Sequence, residues 1–177
     1  MLTDLRWWHV ELSKPSFYRD LHPRGEIQDL GLFVDASTSW GIGIVIENRW
    51  AAFKLVAGWK TEGMDICWLV TLALELLVYF LQAMDIWDAH ILIHSDNQGA
   101  IGALEKGHSP NHHINLSVCR IYSILIPRFI THHLKYVPSE DNPADPISRG
   151  ELGSPQTAIS YSFRMPDELL PIFTDQD

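Results

Sequence analysis

Four acidic residues stand where a charge needs a reason. Asp35 falls inside the apolar run FVDAS, and Glu75 is the single charged residue between Ile66 and Met84. Asp96 ends the strand-like run AHILIHSD, and Asp145 lies in NPADPIS. A carboxylate in apolar surroundings is costly unless it is paired, hydrogen-bonded or metal-bound. Taken singly, Asp96 reads as a helix N-cap, and Asp145, followed by Pro146, reads the same way. A helix glutamate is usually solvated, but the neighbours of Glu75 are apolar nearly all round. Taken together, converging carboxylates repel and raise one another's pKa, so the cluster is stable mainly when cations neutralise it. All-oxygen ligation suits Mg²⁺ or Mn²⁺ rather than Zn²⁺. Two such ions roughly 3.5 to 4 Å apart are the apparatus for in-line attack on a phosphodiester.

The elements that must position these acids follow from hydrophobic periodicity. LGLFVDAS, GIGIVIEN and RWAAFKLVAG read as three strands with short connections, an antiparallel meander. A helix follows over about residues 64–87, with Ile66, Leu69, Val70, Ala73, Leu77, Phe80, Leu81 and Met84 at spacings of three and four. AHILIHSD is a fourth strand, NQGAIGALEKG a short helix ended by Gly107, residues 111–125 another helix, and ITHHLKYV a fifth strand. NPADPISRGEL makes a compact helical turn. The order β-β-β-α-β-α-α-β-α predicts an α/β fold, a five-stranded mixed sheet flanked by helices with its first three strands antiparallel. With strands one and four adjacent, Asp35 lies beside Asp96, and the long helix brings Glu75 across them.

Length and composition set the bounds. The 177 residues are 46% apolar and 20% charged, enough for one domain with a real core. Residues 1–30 are broken by Pro15, Pro23 and Gly25; residues 31–152 carry the periodic elements; residues 153–177 read as a polar, proline-containing tail. No run of eighteen uncharged apolar residues predicts a membrane span, and the N-terminus lacks a signal-peptide pattern. Cys67 and Cys119 read as reduced core thiols of an intracellular protein, with nothing to separate nucleus from cytoplasm.

In order, FVDAS, the helix WLVTLALELLVYF, IHSDNQ and NPADPISR resemble the four acidic motifs of the ribonuclease H domain. The likeness is strongest to the domain carried by retrotransposon reverse transcriptases of the LTR and DIRS-like kinds. It covers residues 31–150 well and residues 1–30 loosely, where DLRWW is similar to the segment joining polymerase to ribonuclease H. The resemblance implies a ribonuclease H-like fold and Asp35, Glu75, Asp96 and Asp145 as ligands of two Mg²⁺ or Mn²⁺ ions. It implies hydrolysis of the RNA strand of an RNA–DNA hybrid, beside an upstream polymerase domain. Ser37, Trp40, Asn97, Gln98, Lys106 and Arg149 are the expected substrate contacts. Two departures stand out: VPSEDNPAD has no histidine where many cellular members carry one before the last aspartate, and no basic hybrid-gripping helix is evident.

The net charge of −9, with 13 Lys and Arg against 22 Asp and Glu, runs against bulk electrostatic binding of nucleic acid. It predicts a weak grip through few phosphate contacts, the neighbouring polymerase supplying the rest. The alternative is a ribonuclease H-like module that has lost catalysis and serves as a scaffold or connection; retention of all four acids favours the enzyme. Other constellations are weaker. His108, His112, His113, His132 and His133 lack cysteine partners at zinc-site spacing. FVDAST is similar to an aspartate-nucleophile motif, but the second acid is replaced by Ser37. GIGIVIEN lacks the lysine and helix of a phosphate-binding loop.

Overall fold

The apolar run around Asp35 is the central strand of a five-stranded mixed sheet in an α/β fold. The computed structural model describes His9, Ser13 and residues 24–160 and 162–174. The strands are β1 (Ile27–Ala36), β2 (Gly41–Ile46), β3 (Arg49–Lys54), β4 (His90–Ser95) and β5 (Thr131–Tyr136). The helices are α1 (Ile66–Ala83), α2 (Gln98–Lys106), α3 (His112–Leu125) and the short α4 (Ala144–Ser148). Across the sheet the order is β3-β2-β1-β4-β5. β1 pairs antiparallel with β2, as β2 does with β3, and β4 runs parallel to both β1 and β5.

Both faces of the sheet are covered, which is why GIGIVI is buried at every residue. On one face α1 and α3 build the main core with Leu32, Val34, Ile42, Ile44 and Ile93. On the other, α4 closes a smaller core of Val45, Ala144 and Ile147 against Phe33, Trp50 and Ala52. α1 is apolar and long enough, by composition, to cross a membrane, with a mean hydropathy of 1.9, but 78% of that stretch is buried inside the fold. Its buried face runs nearly all round because the sheet lies on one side and α3 on another. The helix starts where the Asp65 carboxylate accepts from the Trp68 amide at 2.9 Å. It ends at Ala83, short of the expected 87, as Asp85 turns to a φ of +57°.

Other expectations change. β1 begins at Ile27, so the sheet takes in the last four residues of the stretch 1–30 that was read apart from the periodic elements, and β3 stops at Lys54 rather than running on towards Gly58. Residues 154–160 and 162–174 are not a separate tail. Leu169, Ile172 and Phe173 are buried in the main core, the Ile159 amide donates to Trp50 O at 2.8 Å, and Thr174 N donates to Lys54 O at 2.9 Å. The apolar residues of this segment lie among prolines at irregular intervals, so neither a helical nor a strand period betrays them. Cys119, expected in the core, is exposed on α3, and Cys67 is half-buried; both are free thiols. The DLRWW segment, Trp7 and Trp8 included, lies outside the described residues.

Candidate functional site

Asp35 is held between β1 and α4. Val34 and Ala36 point into the main core, so strand alternation turns Asp35 to the α4 face. There Ser148 Oγ donates to its Oδ2 at 2.6 Å. α4 approaches this closely because Asp35 is paired on β2 with Gly43. A Cβ at position 43 would lie 2.4 Å from Ala144 O and 2.6 Å from Ser148 N. Buried Asn142 ties the same turn down: its Nδ2 donates to Val34 O and its Oδ1 accepts from the Ala144 amide, both at 3.1 Å.

Asp96 follows the last residue of β4. The helix-capping explanation of this acid does not hold, since Asn97 caps α2 by accepting from the Ala100 amide at 2.9 Å. The Asp96 carboxylate instead accepts from Ser139 Oγ at 2.5 Å. Asp145 likewise is not a cap; it is the second residue of α4. Both its oxygens accept from Arg149, Nε at 3.0 Å and Nη2 at 2.8 Å.

The three aspartates line one open cavity of about 300 Å³ at the end of the sheet, together with Ser37, Thr38, Asn97 and Arg149. Burial, reinforced by the Asp96 charge and opposed by the Ser148 hydrogen bond, pushes Asp35 from an ordinary 3.8 up to about 6. Two carboxylates are thus crowded here, and the guanidinium in reach of them belongs to Arg149. Its hydrogen bonds to Asp145, and then the charges of Asp145, Asp35 and Asp96, hold its pKa above the usual value. The donor set is all oxygen, the chemistry of a hard divalent cation. Among the described residues, no three His, Cys, Asp or Glu side chains are disposed to close on one ion in this conformation.

Glu75 is not brought to this cavity. α1 contributes Ile66 and Val70 to the lining, and Glu75 lies five residues beyond Val70, about 7.5 Å further along the helix at 1.5 Å per residue. Its side chain is fully buried and bidentately bound by Arg120, Nε to Oε1 at 2.5 Å and Nη2 to Oε2 at 3.0 Å. Tyr79 donates to Oε1 at 2.8 Å. Burial and then the Glu75 charge push the Tyr79 hydroxyl well above its usual pKa. Glu75 is thus a fully partnered acid, and the structure does not bring it together with the three aspartates.

Of the expected substrate contacts, Ser37, Asn97 and Arg149 line the cavity. Trp40 packs instead against Gly150, where a Cβ would fall 2.5 Å from its Nε1. Gln98 and Lys106 are exposed at the two ends of α2, outside the lining. Ser148, Asn142, Ser139 and Arg120 were missed. One signal was present: Arg120 is the lone permanent cation of α3, as Glu75 is the lone anion of α1. The histidines form no three-ligand group among the described residues; His113 packs edge-on to Trp68.

Comparison with protein-family models, and with curated proteins, finds no match to this chain.

Proposed function

We propose that the chain is a ribonuclease H-like nuclease domain, hydrolysing the RNA strand of RNA–DNA hybrids with Asp35, Asp96 and Asp145 holding Mg²⁺ or Mn²⁺. The observation that carries this reading is that acids from β1, from the residue after β4 and from α4 line one cavity, none of them acting as a helix cap. Bound divalent cations supply Lewis acidity at a phosphate and lower the pKa of an attacking water. The chain's own part is to hold the carboxylates. Gly43 and Asn142 seat α4, Ser148 orients Asp35, and Ser139 orients Asp96. Asn97 and Ser37 offer neutral donors and acceptors beside the acids, suited to a 2′-hydroxyl, the group that marks RNA. A polymerase domain joined upstream, as in retrotransposon reverse transcriptases, would raise the effective concentration of hybrid that this acidic chain holds weakly.

A second reading has its own support: the α1 wall of the cavity is Ile66 and Val70, with no acid. On that reading the domain keeps the fold as a scaffold or connection module without hydrolysis. A labelled RNA–DNA hybrid incubated with and without Mg²⁺ or Mn²⁺ decides between them. Cation-dependent cutting that is lost in Asp35→Asn supports the nuclease; an intact hybrid under every condition supports the scaffold.

A further inference from the structure

We infer that Arg149 is a built-in counter-cation of the aspartate site, which a divalent ion must displace from Asp145 and which then serves as a phosphate contact. The inference rests on the cation-binding reading above. Its ground is geometric. Arg149 commits two guanidinium nitrogens, Nε and Nη2, to the two oxygens of Asp145. The fork takes one of the roughly two lone-pair sites on each oxygen, so an ion that engages both oxygens on that side must displace it, and an ion at any other site meets the repulsion of the guanidinium. The same guanidinium lies in the fields of Asp35 and Asp96, so a single positive charge offsets part of three negative ones.

The contact is also easy to open. The Arg149 side chain is 57% exposed against 21% for Asp145, and the pair spans one helical turn at the end of α4. Exposed pairs at this spacing are weakly held. Contrast Arg120, which holds both oxygens of the fully buried Glu75 while the Tyr79 hydroxyl also donates to Oε1. Once released, Arg149 stands at the mouth of the cavity with a planar fork of donors that matches a phosphate.

Cation affinity, read by isothermal titration and by the Tm against MgCl₂ or MnCl₂, tests this without recourse to activity. Arg149→Ala is expected to bind the ion about three- to tenfold more tightly than wild type, with Arg149→Lys between them because it keeps charge but not the bidentate fork. The same Arg149→Ala protein is expected to bind RNA–DNA hybrid more weakly, with its salt slope shallower by about one. Equal or weaker cation binding by Arg149→Ala, with its circular dichroism spectrum unchanged, overturns the displacement. An unchanged hybrid salt slope overturns the phosphate role. Absence of cation binding by wild type and variant alike removes the aspartate-site reading together with this one.

Discussion

Glu75 and Asp35 are both buried carboxylates, 0% and 4% exposed, but their surroundings differ in kind. Around Glu75 the fold provides a guanidinium and a phenol, so its charge is neutralised and its oxygens satisfied. Around Asp35 it provides a serine hydroxyl, the Ala36 amide and a second carboxylate, and burial holds the acid at a pKa of about 6. The first arrangement is complete without a ligand. The second is left short of positive charge at the end of a sheet, beside an open cavity. Burial of an acid therefore says little by itself; what completes its coordination separates a structural role from a functional one.

Removing the partner of Glu75 breaks the contrast most severely. Arg120→Ala leaves a buried carboxylate unpaired and is expected to cost about 3–5 kcal/mol in urea unfolding. Replacing both, as Glu75→Leu with Arg120→Met, should recover most of that loss. If Arg120→Ala costs less than about 1 kcal/mol, the pair is not the structural unit described.

Asp35→Asn should act in the opposite direction on stability and decisively on chemistry. A carboxyl whose folded pKa is raised is favoured in its protonated form. Its contribution is fully present below 3.8 and is lost as pH rises through about 6. Above pH 6, in cation-free buffer, the asparagine variant should be the more stable protein, by up to about 3 kcal/mol. The same variant is expected to cut hybrid at least about 100-fold more slowly. Glu75→Gln, by contrast, should retain the cutting rate of its folded fraction. Loss of activity in folded Glu75→Gln would return that residue to the site.

Divalent ions sharpen the comparison at smaller scale. Mg²⁺ or Mn²⁺ at about ten times its dissociation constant should raise the Tm of wild type by about 3 °C and leave that of Asp35→Asn nearly unmoved. Ile66→Glu adds a fourth carboxylate at an exposed position on the apolar wall and should tighten cation binding about tenfold. No change would mean that the α1 face is too remote from the ion.

The smallest effect lies near β5, where burial, then the Arg24 charge, pulls His132 down to about 4. A histidine with a depressed folded pKa contributes stability above 6.5 that is lost as pH falls towards 4. This slope opposes that of Asp35 across the same range. In Asp35→Asn the stability should therefore rise more steeply with pH between 4 and 6.5 than in wild type. His132→Phe should lessen the rise by about 1 kcal/mol, the ring being part-exposed.

The sequence by itself determined the five strands, their helices, and the positions of Asp35, Asp96 and Asp145 at element ends. These are local matters: runs such as LGLFVDAS and HILIHS have a strand's length and composition, and polar residues at their ends mark where pairing stops. Only the tertiary structure decided what each acid faces. Glu75 looked like the others because an isolated charge on an apolar helix carries no sign of its partner, and Arg120 lies 45 residues away. Periodicity tells which face of α1 is buried, not how far along the axis the cavity lies, so Ile66 and Val70 took the place expected of Glu75. The docking of residues 154–160 and 162–174 was hidden for a related reason. Their burial depends on side chains such as Phe163 and Phe173 meeting Phe53, contacts between distant segments that no local pattern encodes.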